Sequence, residues 1–124
     1  MTTSLLHQDL TEKILAACFE VINELGVGFL ESVYQNSLVI ALQDYGLSVK
    51  TEHPLCVSFR GQVVGSFYAD LFVEEKVIVE LKAVSSLTDV HKAQVINYLK
   101  ATGIPVGLLV NFGNPKLEFR RLHN

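Results

Sequence analysis

The residues with the clearest chemical potential lie in the stretch Val77-Ile-Val-Glu80-Leu81-Lys82-Ala83, an apolar run interrupted by two full charges. In a strand, residues two apart project to one face, so Glu80 and Lys82 point together while Val77, Val79, Leu81 and Ala83 fill the other face. A carboxylate or ammonium buried without a partner costs several kcal/mol. The two charges therefore either pair or serve a ligand. A third charge joins them by hairpin arithmetic. If Glu74, Glu75 and Lys76 form a three-residue loop, Val73 faces Val77, and counting back sets Asp70 opposite Glu80, with Cβ atoms roughly 5 Å apart. A two-residue loop would send the two carboxylates to opposite faces.

Two carboxylates at that separation repel unless a proton or a cation lies between them. Oxygen ligands from one or two carboxylates, completed by water and phosphate, suit a hard divalent ion such as Mg²⁺. A lysine beside such an ion stabilises phosphate charge or orients an attacking water, which is the chemistry of metal-assisted phosphodiester hydrolysis. The alternative is a plain cross-strand salt bridge, with Lys82 neutralising Asp70 or Glu80 on a solvated sheet face. Two other features bear on the choice. His91, Gln94 and Tyr98 fall at i, i+3 and i+7 and make one polar stripe on the helix after the charged strand. That stripe either contacts a nucleic-acid backbone or simply faces solvent. Glu31 lies near a helix N-terminus, where the dipole favours a carboxylate, so it is either a site residue or a helix-end charge.

The elements that must position these groups follow from periodicity. Asp9-Leu-Thr-Glu12 has the spacing of a capping box. Leu10, Ile14, Ala17, Cys18, Val21, Ile22 and Leu25 then recur as a helical stripe, and Gly26-Val-Gly28 stops it. A second helix is expected from about Leu30 to Tyr45. Strands are expected over Pro54–Arg60, Val63–Val73 and Val77–Ala83. In the second of these, Tyr68, Asp70 and Phe72 are expected on one face and Phe67, Ala69, Leu71 and Val73 on the other. A helix then runs from Asp89 to about Thr102. The almost wholly apolar Pro105–Phe112 reads as a central strand covered on both sides, and Leu117–Leu122 as an edge strand. The first of the last two strands should lie parallel to Val77–Ala83 through a helical crossover. The result is a mixed α/β (α+β) fold, one domain over residues 1–124, with helices flanking a mixed sheet of four to five strands.

Composition narrows the class. The chain has 124 residues, 49% hydrophobic and 19% charged, with a net charge of −3. These values fit a compact folded protein. Nucleic-acid binding would have to come from a local patch, for which Lys50, Arg60, Lys92, Lys100, Lys116, Arg120 and Arg121 are the scattered candidates. Cys18 and Cys56 match no zinc spacing and read as small buried apolar residues of a reducing compartment. No secretion signal or membrane-length apolar run is evident, so a cytoplasmic, membrane-free location is expected. Leu5-Leu6 and the edge strand near Leu117 are the hints of a homo-oligomer.

Taken together these residues resemble the PD-(D/E)XK nuclease superfamily and, within it, the GxxExxY proteins. Gly28-x-x-Glu31-x-x-Tyr34 matches the pattern that names the group. Asp70 followed by Glu80-Leu81-Lys82 matches the acid and the acid-x-lysine signature, with Ala69 where the literal signature has proline. Gln94-x-x-x-Tyr98 resembles the glutamine–tyrosine motif of the branches allied to phage lambda exonuclease. The resemblance implies a restriction-endonuclease-like αβββαβ core and a Mg²⁺- or Mn²⁺-dependent nuclease acting on nucleic acid, with DNA the first expectation. It implies Asp70, Glu80 and Lys82 as catalytic residues. Asp70, Glu80 and the Leu81 carbonyl would be metal ligands, with Glu31 an additional ligand or water-holder. Tyr34, His91, Gln94 and Tyr98 would support the site or the substrate. The alternative is a catalytically weak or inactive nucleic-acid-binding or accessory module that keeps the fold.

Overall fold

The computed structural model describes residues 5–124. Helix α1 (Gln8–Leu25) and helix α2 (Glu31–Asp44) precede three strands, β1 (Val49–Phe59), β2 (Gln62–Val73) and β3 (Val77–Lys82). Helix α3 (Asp89–Thr102), β4 (Val106–Asn111) and β5 (Glu118–His123) complete the chain. The five strands form one sheet in the order β1-β2-β3-β4-β5. The β1–β2, β2–β3 and β4–β5 pairs are antiparallel and β3–β4 is parallel, with α3 as the crossover between them. This is a restriction-endonuclease-like mixed sheet flanked by helices.

The two faces of the sheet carry separate apolar clusters. Ile14, Ala17, Cys18 and Val21 of α1 and Tyr34, Leu38 and Leu42 of α2 pack against Leu71, Val73, Val77, Val79, Leu81, Leu108 and Val110. Val95 and Leu99 of α3 pack on the other side against Leu55, Phe72, Ile78 and Leu109. Strand β4 is buried along its whole length, as a strand covered on both sides must be. Gly107 admits α3 closely, since a Cβ there would lie 3.0 Å from the Val95 Cγ1. Because Val77, Val79 and Leu81 face α1 and α2, the alternation sends Ile78, Glu80 and Lys82 to the α3 side.

Several local expectations are corrected. The first helix is not opened by an Asp9–Glu12 capping box. His7, with φ 57°, is the N-cap, and Thr11 N–H already donates to the His7 carbonyl at 2.9 Å, so Asp9 lies inside the first turn. Strand β1 starts at Val49 rather than Pro54, because its polar first residues pair with the buried end of β2 through Val49↔Val73 and Thr51↔Leu71. The expected facing of β2 also fails at one point. Leu71 and Val73 face α1 and α2, but Phe67 and Ala69 join Phe72 on the α3 side. The strand therefore rolls over near Asp70. Cys56 is exposed on the outer part of the β1–β2 hairpin, whereas Cys18 is buried, and that burial pushes its thiol well up. Leu117 is core rather than edge surface, while Leu5 and Leu6 are exposed.

Candidate active site

The roll-over at Asp70 is where the sheet comes apart. The β1–β2 rungs run from Val49↔Val73 to Thr51↔Leu71 and resume at His53↔Ala69, omitting Glu52 and Asp70. Glu52 adopts φ 47°, a left-handed conformation that takes it out of the ladder. On the other side of β2, the rungs Val73↔Val77, Phe72↔Ile78 and Leu71↔Val79 follow the register of a three-residue loop and then stop. Continuing the count places Asp70 level with Glu80.

Side chains replace the missing rungs. The Asp70 Oδ2 accepts the Leu81 N–H at 2.8 Å, and the Glu80 Oε1 accepts the Asp70 N–H at 3.3 Å. The Asp70 carbonyl accepts Gln35 Nε2 from α2 at 3.3 Å, and the same amide donates to Glu52 Oε1 at 3.0 Å. Irregular pairing of this kind re-aims side chains and concentrates beside active sites. The Lys82 carbonyl accepts the Phe112 N–H at 2.8 Å, so Lys82 turns its peptide groups toward β4. Leu81 turns its own toward β2, and its carbonyl shares that direction with the N–H held by Asp70. Two carboxylates are thus oriented by main-chain donors beyond the last β2–β3 rung.

Electrostatics follow from this geometry. Glu80 is 8% exposed, and its carboxyl is pushed up to about 9, by burial first and by the Asp70 charge second. Lys82, half-buried on the same side, pulls the other way. Among the described residues the ion pairs within 4.0 Å are Lys50–Glu75, Lys92–Asp89 and Arg120–Glu118. The simple salt bridge of Lys82 to Asp70 or Glu80 is therefore not the arrangement found, and three of the candidate phosphate contacts are already paired.

The surrounding residues divide into those that face the carboxylates and those that hold the scaffold. Glu31, exposed at the start of α2, has its carboxyl raised by desolvation and then by Asp70, with Lys82 and His91 acting against them. It therefore shares the neighbourhood of all three. Tyr98 is raised by desolvation and by Glu80 and Asp70, with a hydrogen bond from Gln94 opposing. Its ring stacks on Phe67 of β2, with centroids 3.6 Å apart. His91 accepts the Thr88 N–H on Nδ1 at 3.1 Å while Thr88 Oγ1 accepts the His91 N–H, a capping box that opens α3. Half of its imidazole is thus committed to structure.

Tyr34 is fully buried and bonds within the scaffold. Its hydroxyl donates to the Gly26 carbonyl at 2.6 Å and accepts the Phe29 N–H at 3.3 Å. It pins the turn that delivers Glu31. Two polar residues escaped the sequence reading. Gln35 is one turn beyond Glu31 on the same helix face, an i, i+4 signal that was available. Asn111, fully buried at the end of an apolar run, bonds both Val84 N–H and Val84 carbonyl at 2.9 Å and the Gly113 N–H at 3.0 Å. It fixes the chain immediately after Lys82. A Cβ at Gly113 would lie 1.9 Å from the Val84 carbonyl, so no other residue fits that clamp.

A family profile of the PD-(D/E)XK nuclease superfamily matches residues 8–122. The chain belongs to the PD-(D/E)XK nuclease superfamily. Among solved structures, the crystal structure of SSO0001 is similar with a TM-score of 0.59 at 16% identity, over 95% of this chain and 59% of SSO0001. Likeness at that identity is likeness of fold, and the chain spans about three fifths of the length of SSO0001. Comparison with curated proteins gives no match. No helix among the described residues is long and apolar enough to cross a membrane.

The donor set can be tested against the divalent metals that superfamily members use. Among the described residues no three His, Cys, Asp or Glu side chains gather closely enough to hold an ion. A cation here would rest on Asp70, Glu80 and the Leu81 carbonyl, an all-oxygen set that leaves positions for water and phosphate. That composition fits Mg²⁺ or Mn²⁺ and disfavours softer metals. The raised Glu80 carboxyl points the same way, because a buried carboxylate next to another is the arrangement that a bound cation relieves.

Proposed function

We propose that this PD-(D/E)XK protein is a Mg²⁺- or Mn²⁺-dependent nuclease of the GxxExxY group that hydrolyses phosphodiester bonds in DNA. The reading rests on one observation above the rest: the ladder opens so that the Asp70 carboxylate, held by the Leu81 N–H, and the buried Glu80 carboxylate, held by the Asp70 N–H, come together, with Lys82 two residues from Glu80 on the same strand face.

Asp70, Glu80 and the Leu81 carbonyl would hold the ion, which when bound supplies charge neutralisation and a more acidic water. Each residue then has a distinct task. Glu80 releases its proton on loading, since a ligating carboxylate must be ionised. Lys82 steadies charge on a phosphate oxygen or holds the attacking water. Glu31, carried by a helix start that Tyr34 pins, holds or orients water opposite Asp70. Gln94, Tyr98 and the outer nitrogen of His91 offer donors to the substrate backbone along α3. Burial of the carboxylate pair strengthens these interactions by excluding bulk water.

The test is a gel with linear, circular and single-stranded DNA and RNA, each with Mg²⁺ and with Mn²⁺. Cleavage is expected to need the metal and to disappear in Asp70→Ala and Lys82→Ala. Robust cleavage by purified Lys82→Ala would overturn its role. A second reading, a nucleic-acid-binding module without turnover, draws on the lack of three clustered ligating side chains among the described residues. Tight, salt-sensitive DNA binding with no cleavage under any divalent ion would favour it.

A further inference from the structure

We infer that Gln35 is a positioning residue for the carboxylate pair, standing in for the main-chain donor that β1 withdraws at Glu52. The inference rests on the metal-site reading above, and names a residue outside it.

In the register of β1 and β2, Glu52 belongs opposite Asp70, between the rungs Thr51↔Leu71 and His53↔Ala69. Its φ of 47° removes it. The Asp70 carbonyl then needs another donor, because buried or half-buried main-chain acceptors are almost always paired. Gln35 Nε2 fills the vacancy, donating to that carbonyl at 3.3 Å and to Glu52 Oε1 at 3.0 Å. A primary amide has two N–H groups, and these two acceptors use both.

The consequence reaches the carboxylates through the Asp70 backbone. The same residue is held by its N–H on Glu80, by its side chain on the Leu81 N–H, and by its carbonyl on Gln35. Remove the last and the peptide is free to rotate, which moves the Asp70 Oδ2 away from Leu81 and from Glu80 together. Gln35 also lies four residues after Glu31, so one face of α2 sets both Glu31 and Asp70. Residues that orient ligating carboxylates cost 10- to 100-fold in metal affinity when removed.

The experiment compares wild type, Gln35→Met, which keeps the shape without a donor, and Gln35→Lys, which restores a donor to both oxygens. Mn²⁺ affinity is read by titration calorimetry. Hydrogen exchange of the Leu81 amide in the metal-free protein is read by NMR against the Val79 and Leu108 amides. Gln35→Met is expected to bind Mn²⁺ about 10-fold more weakly. Its Leu81 amide should exchange several-fold faster while Val79 and Leu108 are unchanged. Gln35→Lys should recover most of both. Wild-type Mn²⁺ affinity with an unchanged Leu81 amide in Gln35→Met would overturn the inference. If wild type binds no Mn²⁺, the metal-site reading fails by itself, and the Leu81 exchange still decides the role of Gln35. Should Gln35→Met not fold, Glu52→Ala, which frees only one arm of the amide, must still speed Leu81 exchange. An unchanged rate there would overturn the inference as well.

Discussion

Replacing Glu80 by Gln should make the metal-free protein more stable. In the fold the Glu80 carboxyl is pushed up to about 9 from an ordinary 4.5, with burial as the first cause and Asp70 as the second. The sign follows from linkage. A group whose folded value lies above its unfolded value contributes stability in full below pH 4.5, and that contribution is lost progressively as the pH climbs toward 9. At pH 7 the group lies between its unfolded and folded values, so ionisation in the unfolded chain alone costs the fold a few kcal/mol. Glu80 titrates together with its neighbour, so only roughly 1–2 kcal/mol of this is expected from Glu80. Glutamine keeps the acceptor for the Asp70 N–H, offers a donor to the Asp70 carboxylate and does not titrate. For a chain of this size that is a rise of about 4–8 °C in melting temperature. The assay is a melt from pH 5 to pH 9 without divalent ions. Wild type should lose stability across this range, and Glu80→Gln should lose much less. Saturating Mn²⁺ should reverse the order, since a ligand that binds only the folded protein adds about 2.7 kcal/mol at 100 times its Kd. A Glu80→Gln protein that melts at or below wild type at pH 8 would refute the reasoning.

Two further substitutions separate scaffold from site. His91→Gln should keep both the α3 cap and a donor toward the substrate, whereas His91→Glu keeps the cap but presents a carboxylate. Melting temperatures within a few degrees, with DNA binding retained in the first and weakened at least 10-fold in the second, are expected in a filter assay, and equal binding would remove His91 from the substrate face. Tyr34→Phe loses two hydrogen bonds in a buried setting, so a cost of about 1–3 kcal/mol is expected in urea unfolding, with weaker Mn²⁺ binding through the loosened Glu31. A cost near zero would mean that water replaces the hydroxyl between Gly26 and Phe29.

Much of this architecture could be read from residue order, and the reasons are local. The three-residue turn at Glu74-Glu75-Lys76 sets the β2–β3 register, and the rungs Val73↔Val77 to Leu71↔Val79 follow it. The capping residues before α3 and the glycine after it bound that helix at Asp89 and Thr102. The unbroken apolar run of β4 told of burial on both faces. Less legible was anything that depends on a single backbone angle. Glu52 carries no mark of its left-handed φ, since glutamate is not a residue that favours it, so neither the opened ladder nor the roll of Phe67 and Ala69 toward α3 could be foreseen. Tyr34 looked like a site residue because it shares a motif with Glu31. Its burial and its bonds to Gly26 and Phe29 make it a scaffold residue. Asn111 had a usable signal, because an amide inside an apolar run must be bonded wherever it is buried.

The opened ladder also explains how a sheet can hold two carboxylates level with one another. In a regular antiparallel pair Asp70 and Glu80 would present both side chains to the α3 face while their main chains bonded to neighbouring strands. The carboxylates would then repel across a dry interval with no donor between them. Opening the β1 rung releases the Asp70 N–H, which Glu80 takes. Ending the β2–β3 rungs at Leu71↔Val79 releases the Leu81 N–H, which Asp70 takes. Each carboxylate is thereby oriented by a main-chain donor that a regular sheet would have consumed. The Leu81 carbonyl turned toward the same gap has no rung to join. Two lost rungs thus convert a repulsive pair into an oriented pair of carboxylates.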